Sequence, residues 1–201
     1  MRAESDMATS HSGRSGYRAA YDVRATRALF AGATGAIIAL IFLELFRAAG
    51  AIGLNFPILT GTVFIRSVSA ASYWLGALLL VAGGALTGLL YARFFKWGHH
   101  INIGLGLVLG LAQWMVGGFA LWLLEVINPL VPAQLTPPGV FAINHEPLTW
   151  GLFLVANFVY GATVAALEKY RVSRGRLAPH DIDRRLEETR DANVMSRFGA
   201  G

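Results

Sequence analysis

The sequence predicts an all-α integral membrane protein, a four-helix bundle whose two ends share the cytoplasmic side. Three observations predict it. Only 14% of the 201 residues are charged, whereas an average soluble domain carries about 25%. Those charges concentrate in residues 1–27 and 168–201. Four long apolar runs lie between them, without the short alternating segments of a β-barrel.

The elements follow in order. Residues 1–16 are rich in Ser, Gly, Arg and Ala without apolar periodicity, and read as a disordered tail. Residues 17–27 read as a helix on the membrane surface. The first span covers residues 28–50, and as a helix its length is about 34 Å, enough to cross. Its uncharged run of 16 residues exceeds the roughly 7–15 of a cleaved signal core, so it reads as a retained span. The remaining spans are expected at residues 73–95, 101–127 and 148–167. The transmembrane domain is therefore residues 27–170, with a basic tail at 171–201 containing a short helix near residues 181–194.

The connections are unequal. Residues 96–100 make a tight turn, whereas 51–72 and 128–147 are long. The second long loop carries Pro129, Pro132, Pro137, Pro138 and Pro147. It is too apolar to lie free in water and is expected to pack over the bundle mouth or dip into the interface. Irregular backbone at membrane depth needs protein or water to satisfy it.

Lys and Arg set the orientation. Fifteen fall on the side of the two ends, and only Arg47 and Arg66 on the other. Under the positive-inside rule both termini are cytoplasmic and both long loops are outside. Tyr73, Trp74, Trp122 and Trp150 then belong to an outer aromatic belt, and Tyr91, Trp97 and Tyr170 to an inner one. The net charge of +5 implies attraction to anionic lipids at the cytoplasmic face rather than to nucleic acid. The absence of cysteine excludes disulfides, thiolate metal sites and a cysteine nucleophile.

The two halves look alike. Residues 59–64 resemble 135–141, and Trp74 and Trp150 follow at similar distances. Glu44 and Glu125 precede them, which suggests a parallel duplication of two helical hairpins. Small residues mark the packing faces: Gly84 and Gly88 in span two, Gly106, Gly110 and Gly117 in span three, and Gly161 in span four. Gln113 and Asn157 are placed to hydrogen-bond across spans three and four.

Ionisable groups gather at the outer end: Glu44, Arg47, Arg66, Glu125, His145 and Glu146. One reading is a carboxylate–histidine site that binds a cation or passes protons. The other is structural, pairing Glu44 with Arg47 and Glu125 or Glu146 with Arg66. His99 and His100 sit at the opposite end, so no bis-histidine haem pair forms with His145. No phosphate loop, zincin motif or serine elbow occurs, and neither a cofactor nor a metal is expected.

Phe56-Pro57 with Gly61-Thr62, a Gly-rich second span ending in Tyr91, a Gly-rich third span, Phe141-Ala142 with Asn144, and Tyr160-Gly161 resemble a group of small bacterial four-helix membrane proteins, a domain of unknown function. The resemblance covers about residues 28–170. It implies the bacterial inner membrane and no catalytic residues. The expected role is a non-enzymatic accessory or interaction subunit with a membrane-protein partner. The alternative is a small-solute or cation channel or carrier built on the outer cluster. An enzyme would need His145 within hydrogen-bond reach of a carboxylate beside a cleft.

Overall fold

The structure, a computed structural model, describes the backbone of residues 5–97 and 102–175, and the side chains of residues 25–95 and 102–169. The described residues are all helical or irregular. Helix α1 runs Ser5–Ala48, α2 Phe56–Gly61, α3 Ala70–Trp97, α4 Ile103–Ile127 and α5 Pro147–Gly175. Four stretches are long and apolar enough to cross a membrane: Ala25–Ala48, Ala70–Phe95, Ile103–Ile127 and Pro147–Lys169. The protein is a multi-pass membrane protein with a four-helix bundle, as the hydropathy pattern predicts. The expected turn at 96–100 and the expected helix near 181–194 fall largely or wholly outside the described residues.

Two boundaries differ from expectation. The segment expected to be disordered is helical from Ser5 onward. The chain has no proline before Pro57, so nothing stops the helix propagating back from the apolar span. The long first loop contains α2, a helix the apolar pattern did not suggest. Asn55 caps it, its side chain accepting the Ile58 N–H at 2.9 Å. Pro57 sits in the first turn, where no intrahelical N–H is needed. Such a cap is worth about 1 kcal/mol.

The helices alternate in direction. Helix α1 packs against α3 and α5, α4 packs against α5, and α3 and α4 touch little directly. The start of α1 and the end of α5 therefore lie at one end of the bundle, and the loops 49–69 and 128–146 at the other, called here the loop end.

In the half away from the loops the helices meet backbone to backbone. A Cβ added to Gly88 would lie 2.5 Å from the Ala28 carbonyl oxygen, and one added to Gly32 would lie 2.9 Å from the Gly88 Cα. Gly84 faces Ala36 in the same crossing. Across the bundle, a Cβ on Gly110 would lie 2.6 Å from the Asn157 carbonyl oxygen, and Gly106 abuts Gly161 and Ala165. Dispersion across such close faces is what holds helices together in lipid. Gly84, Gly88, Gly106, Gly110 and Gly161 thus all sit at intramolecular crossings.

Gly117 is different. It faces the end of the Phe153 ring, and the tight position is its neighbour Gly118, which lies under the Phe141 ring. Phe141 comes from a 3-10 turn at Val140–Ala142, held at φ 58°. It packs on Trp114 and Phe119 at ring-centroid distances of 4.5 and 5.6 Å. A non-glycine residue in this left-handed region is uncommon, and here packing against α4 holds it. The second loop does pack over the bundle mouth, with Pro138 and Ala142 fully buried.

The two hairpins share the antiparallel small-residue crossing but not the loop packing. Helix α2 lies on α3, the second helix of its hairpin, with Gly61 against Ser72 and Gly76 against Pro57. The 140–142 turn lies on α4, the first helix of its own.

Two side-chain cores fill the bundle. The loop-end core contains Leu43, Ile52, Phe56, Leu59, Leu121, Leu152 and Ala156. Phe56 stacks on Phe153 at 5.3 Å within it. The second core joins Ala31, Tyr91, Phe95, Tyr160 and Val164. Tyr91, expected in an interfacial belt, is instead buried and meets the Tyr160 ring edge-on at 5.3 Å. The Tyr160 hydroxyl donates to the Gly84 carbonyl at 2.6 Å, joining α5 to α3. The Tyr160 phenol is thereby partnered, which burial demands.

Candidate functional site

The six ionisable residues expected at one end do lie there, but the four that find partners, Glu44, Arg47, Glu125 and Glu146, find them locally. Glu44 and Arg47 are one turn apart near the end of α1. The Arg47 guanidinium donates through Nε and NH2 to Glu44 Oε2, both at 2.7 Å. This is the pair the helical spacing predicts.

Glu125 does not pair with Arg66. Its Oε2 accepts the Gly139 N–H at 2.9 Å. Gly139 has φ 69° and ψ 175°, a region open essentially to glycine alone. A Cβ there would also press on the Asn144 side chain at 2.9 Å. Glu125 is therefore the α4 anchor of the second loop. Arg66 is exposed and makes no ion pair or hydrogen bond through its side chain among the described residues.

Glu146 starts α5. Its carboxylate accepts from the Thr149 hydroxyl at 3.1 Å, and the Thr149 N–H returns to the Glu146 carbonyl at 2.8 Å. It also lies beside Gly53 of the first loop, its Oε1 3.5 Å from where a Cβ there would sit. Its own backbone N–H foremost, then the Thr149 hydroxyl, the Gly53 N–H and the charge of His145 hold its pKa below the ordinary 4.5. A carboxyl with a lowered pKa in the folded state stabilises it above the unfolded value, and that contribution is lost as pH falls. The contact between α5 and the Gly53 loop should accordingly loosen below pH 4.5. Glu146→Gln should flatten that acid limb, read as cleavage of the loops by an acid-active protease across a pH series.

His145 lies beside Gly53, and its Nε2 is buried without a hydrogen-bond partner. Glu44, Glu125 and His145 share no hydrogen bond or ion pair among the described residues. No group of three or more His, Cys, Asp or Glu side chains there is placed to hold a metal ion. The arrangement can anchor loops and start helices. It does not gather the carboxylates and histidine into one coordinating or proton-passing unit.

Removing the Glu125 anchor should release the second loop. Glu125→Ala should cost roughly 1.5–3 kcal/mol, the range for a hydrogen bond to a charged group. Glu125→Gln keeps an acceptor and should cost less. Limited proteolysis between residues 130 and 145 reads the difference directly.

Sequence reasoning missed two polar hubs. Asn128, 3% exposed, follows the last turn of α4. Its Nδ2 donates to the Leu59 carbonyl and the Thr62 hydroxyl, both at 2.8 Å, and its Oδ1 accepts the Leu130 N–H at 3.0 Å. This one side chain ties α4, α2 and the second loop. The signal available was an asparagine between an apolar run and proline, which reads only as a turn. The second hub is Tyr91, whose hydroxyl donates to Gln113 Oε1 at 2.9 Å and bridges α3 to α4. The expected Gln113–Asn157 bond does not form, because Asn157 donates to the Phe153 carbonyl of its own helix at 2.8 Å.

Comparison with known protein families, with curated proteins and with solved structures finds no match to this chain.

Proposed function

We propose that this protein is a non-enzymatic accessory or interaction subunit of a complex in a bacterial inner membrane, with both termini cytoplasmic. The observation that carries the reading is the use made of the loop-end charges. Glu44, Glu125 and Glu146 each satisfy a local structural need, leaving no assembled acid–base or coordinating set. The mid-depth hydroxyls point the same way. Thr34, Thr87 and Thr163 each donate to a carbonyl of their own helix. A carrier or pump ordinarily needs an ionisable group or broken helix at that depth. The side assignment rests on the fifteen-to-two distribution of Lys and Arg, and the basic segments suit anionic lipid on the cytoplasmic face. The resemblance to small bacterial four-helix proteins supports the location.

Native-gel electrophoresis of membranes solubilised in mild detergent, with mass spectrometry of the band, tests the role. Co-migration with one defined protein at fixed stoichiometry is expected. Migration free of any other protein would overturn it. Ion flux into proteoliposomes that Glu44→Gln or Glu125→Gln abolishes would favour the carrier instead. Because the chain lacks cysteine, a single Ser67→Cys tests the topology. It should react with an impermeant maleimide from outside intact cells, and protection there with labelling only after lysis would reverse the orientation.

A further inference from the structure

One polar group inside the bundle is half satisfied. Gln113 lies about 15 Å along α4 from Ile103, near the middle of a hydrocarbon core about 30 Å thick. Its Oε1 accepts the Tyr91 hydroxyl. Its amide N–H groups have no partner among the described residues, and the side chain is neither exposed nor sealed. Water is not available there to take those donors. Lipid ester carbonyls lie about half the core thickness away, at the interface. The acceptor has to arrive from another membrane-embedded molecule.

The surroundings of Gln113 say which one. The residues one turn and two turns on, Val116 and Ala120, are exposed, and the small Ala120 lets a second backbone approach there. A carboxamide is its own complement: it offers two N–H donors and, with one lone pair of Oε1 used by Tyr91, retains the other as an acceptor. Two copies related by a two-fold axis beside Gln113 satisfy each other reciprocally, as an isologous contact requires.

We propose that the Gln113 edge of α4 is a homodimer contact, in which the Gln113 amide of each copy donates to the Gln113 Oε1 of the other. The contact stands independently of any heteromeric partner, so its failure leaves the subunit reading untouched.

Cross-linking in native membranes tests it, since an added cysteine is the only one in the chain. Val116→Cys and Ala120→Cys should give an oxidised dimer of the chain with itself. Met115→Cys is exposed but lies almost opposite Gln113 around the helix, and should not. Adding Gln113→Leu to Val116→Cys should lower dimer formation by roughly three- to twentyfold, the effect of an interhelical polar contact in lipid. Gln113→Leu also strands the Tyr91 hydroxyl, so Tyr91→Phe is the control. It removes the internal bond but keeps the amide, and should leave the dimer intact. Loss of the dimer in Tyr91→Phe, equal cross-linking through Met115→Cys, no dimer at all, or a disulfide from Val116→Cys to a different protein would each overturn the proposal.

Discussion

Gly161→Ala should destabilise the bundle by about 1–3 kcal/mol, the range for overpacking a close-fitted core, or more where backbone has to move. The same substitution at Gly151, ten residues earlier on α5, should be neutral or stabilising. The comparison is informative because both are helical glycines in one helix. Alanine has the better helix propensity by about 1 kcal/mol at either site. At Gly151 nothing lies within 4 Å of an added Cβ, so the propensity gain is unopposed. At Gly161 the added carbon would overlap the Gly106 carbonyl and lie 3.3 Å from the Gly110 nitrogen. Those are backbone atoms of α4 and cannot rotate away as a side chain would. The helices have to separate, and the buried Tyr160 and Val164 beside the crossing lose contacts with them. Titration with a denaturing detergent, followed by tryptophan fluorescence, measures both variants. Equal stabilities would mean that the α4–α5 crossing is not held by close backbone approach.

The parts of this structure legible in the sequence are those decided locally. Length and hydropathy suffice for a span, because a helix must satisfy its own backbone in lipid. The Gly84–Gly88 pair was legible for the same reason, since four-residue spacing puts both on one face. Its partner row Ala28, Gly32 and Ala36 has identical spacing, but only the fold reveals which small residues face each other. Gly118 is not distinguished from Gly117 by sequence, because its partner, Phe141, arrives from a distant loop in a left-handed conformation. The loop-end charges illustrate a further limit. Glu44 and Arg47 were readable as a pair because both partners are side chains one turn apart. The sequence offers Arg66 as a partner for Glu125 or Glu146, whereas Glu125 takes the backbone N–H of Gly139. Backbone donors occur at every residue but proline, so sequence gives no hint of which one a carboxylate will take.

Asn128→Ala should detach α2 from the end of α4, at a cost of about 2–4 kcal/mol as three hydrogen bonds are lost and buried groups are stranded. The Leu130 N–H would lose its acceptor, since the Asn128 Oδ1 takes it at 3.0 Å. The Leu59 carbonyl keeps a weaker donor in the Thr62 hydroxyl at 3.2 Å. Asn128→Asp should be worse than Asn128→Ala. It preserves the acceptor for Leu130 but, when ionised, turns a carboxylate oxygen toward the Leu59 carbonyl, and burial of an unpaired charge costs several kcal/mol. Thr62→Val gives the complementary measurement. It removes one of the two groups that accept from Nδ2 while keeping the shape, and should cost about 1 kcal/mol. Because Asn128 and Thr62 share a bond, the double variant should be less destabilised than the sum of the singles. A cysteine at Leu59, 2% exposed in the loop-end core, reports on the same event without global unfolding. It should be unreactive toward an impermeant maleimide in the parent and reactive with Asn128→Ala. Global loss of stability with Leu59 still protected would place the role of Asn128 in α4 alone. Labelling at Leu59 with the α4–α5 crossing intact would make it the clasp that closes the first loop over the bundle.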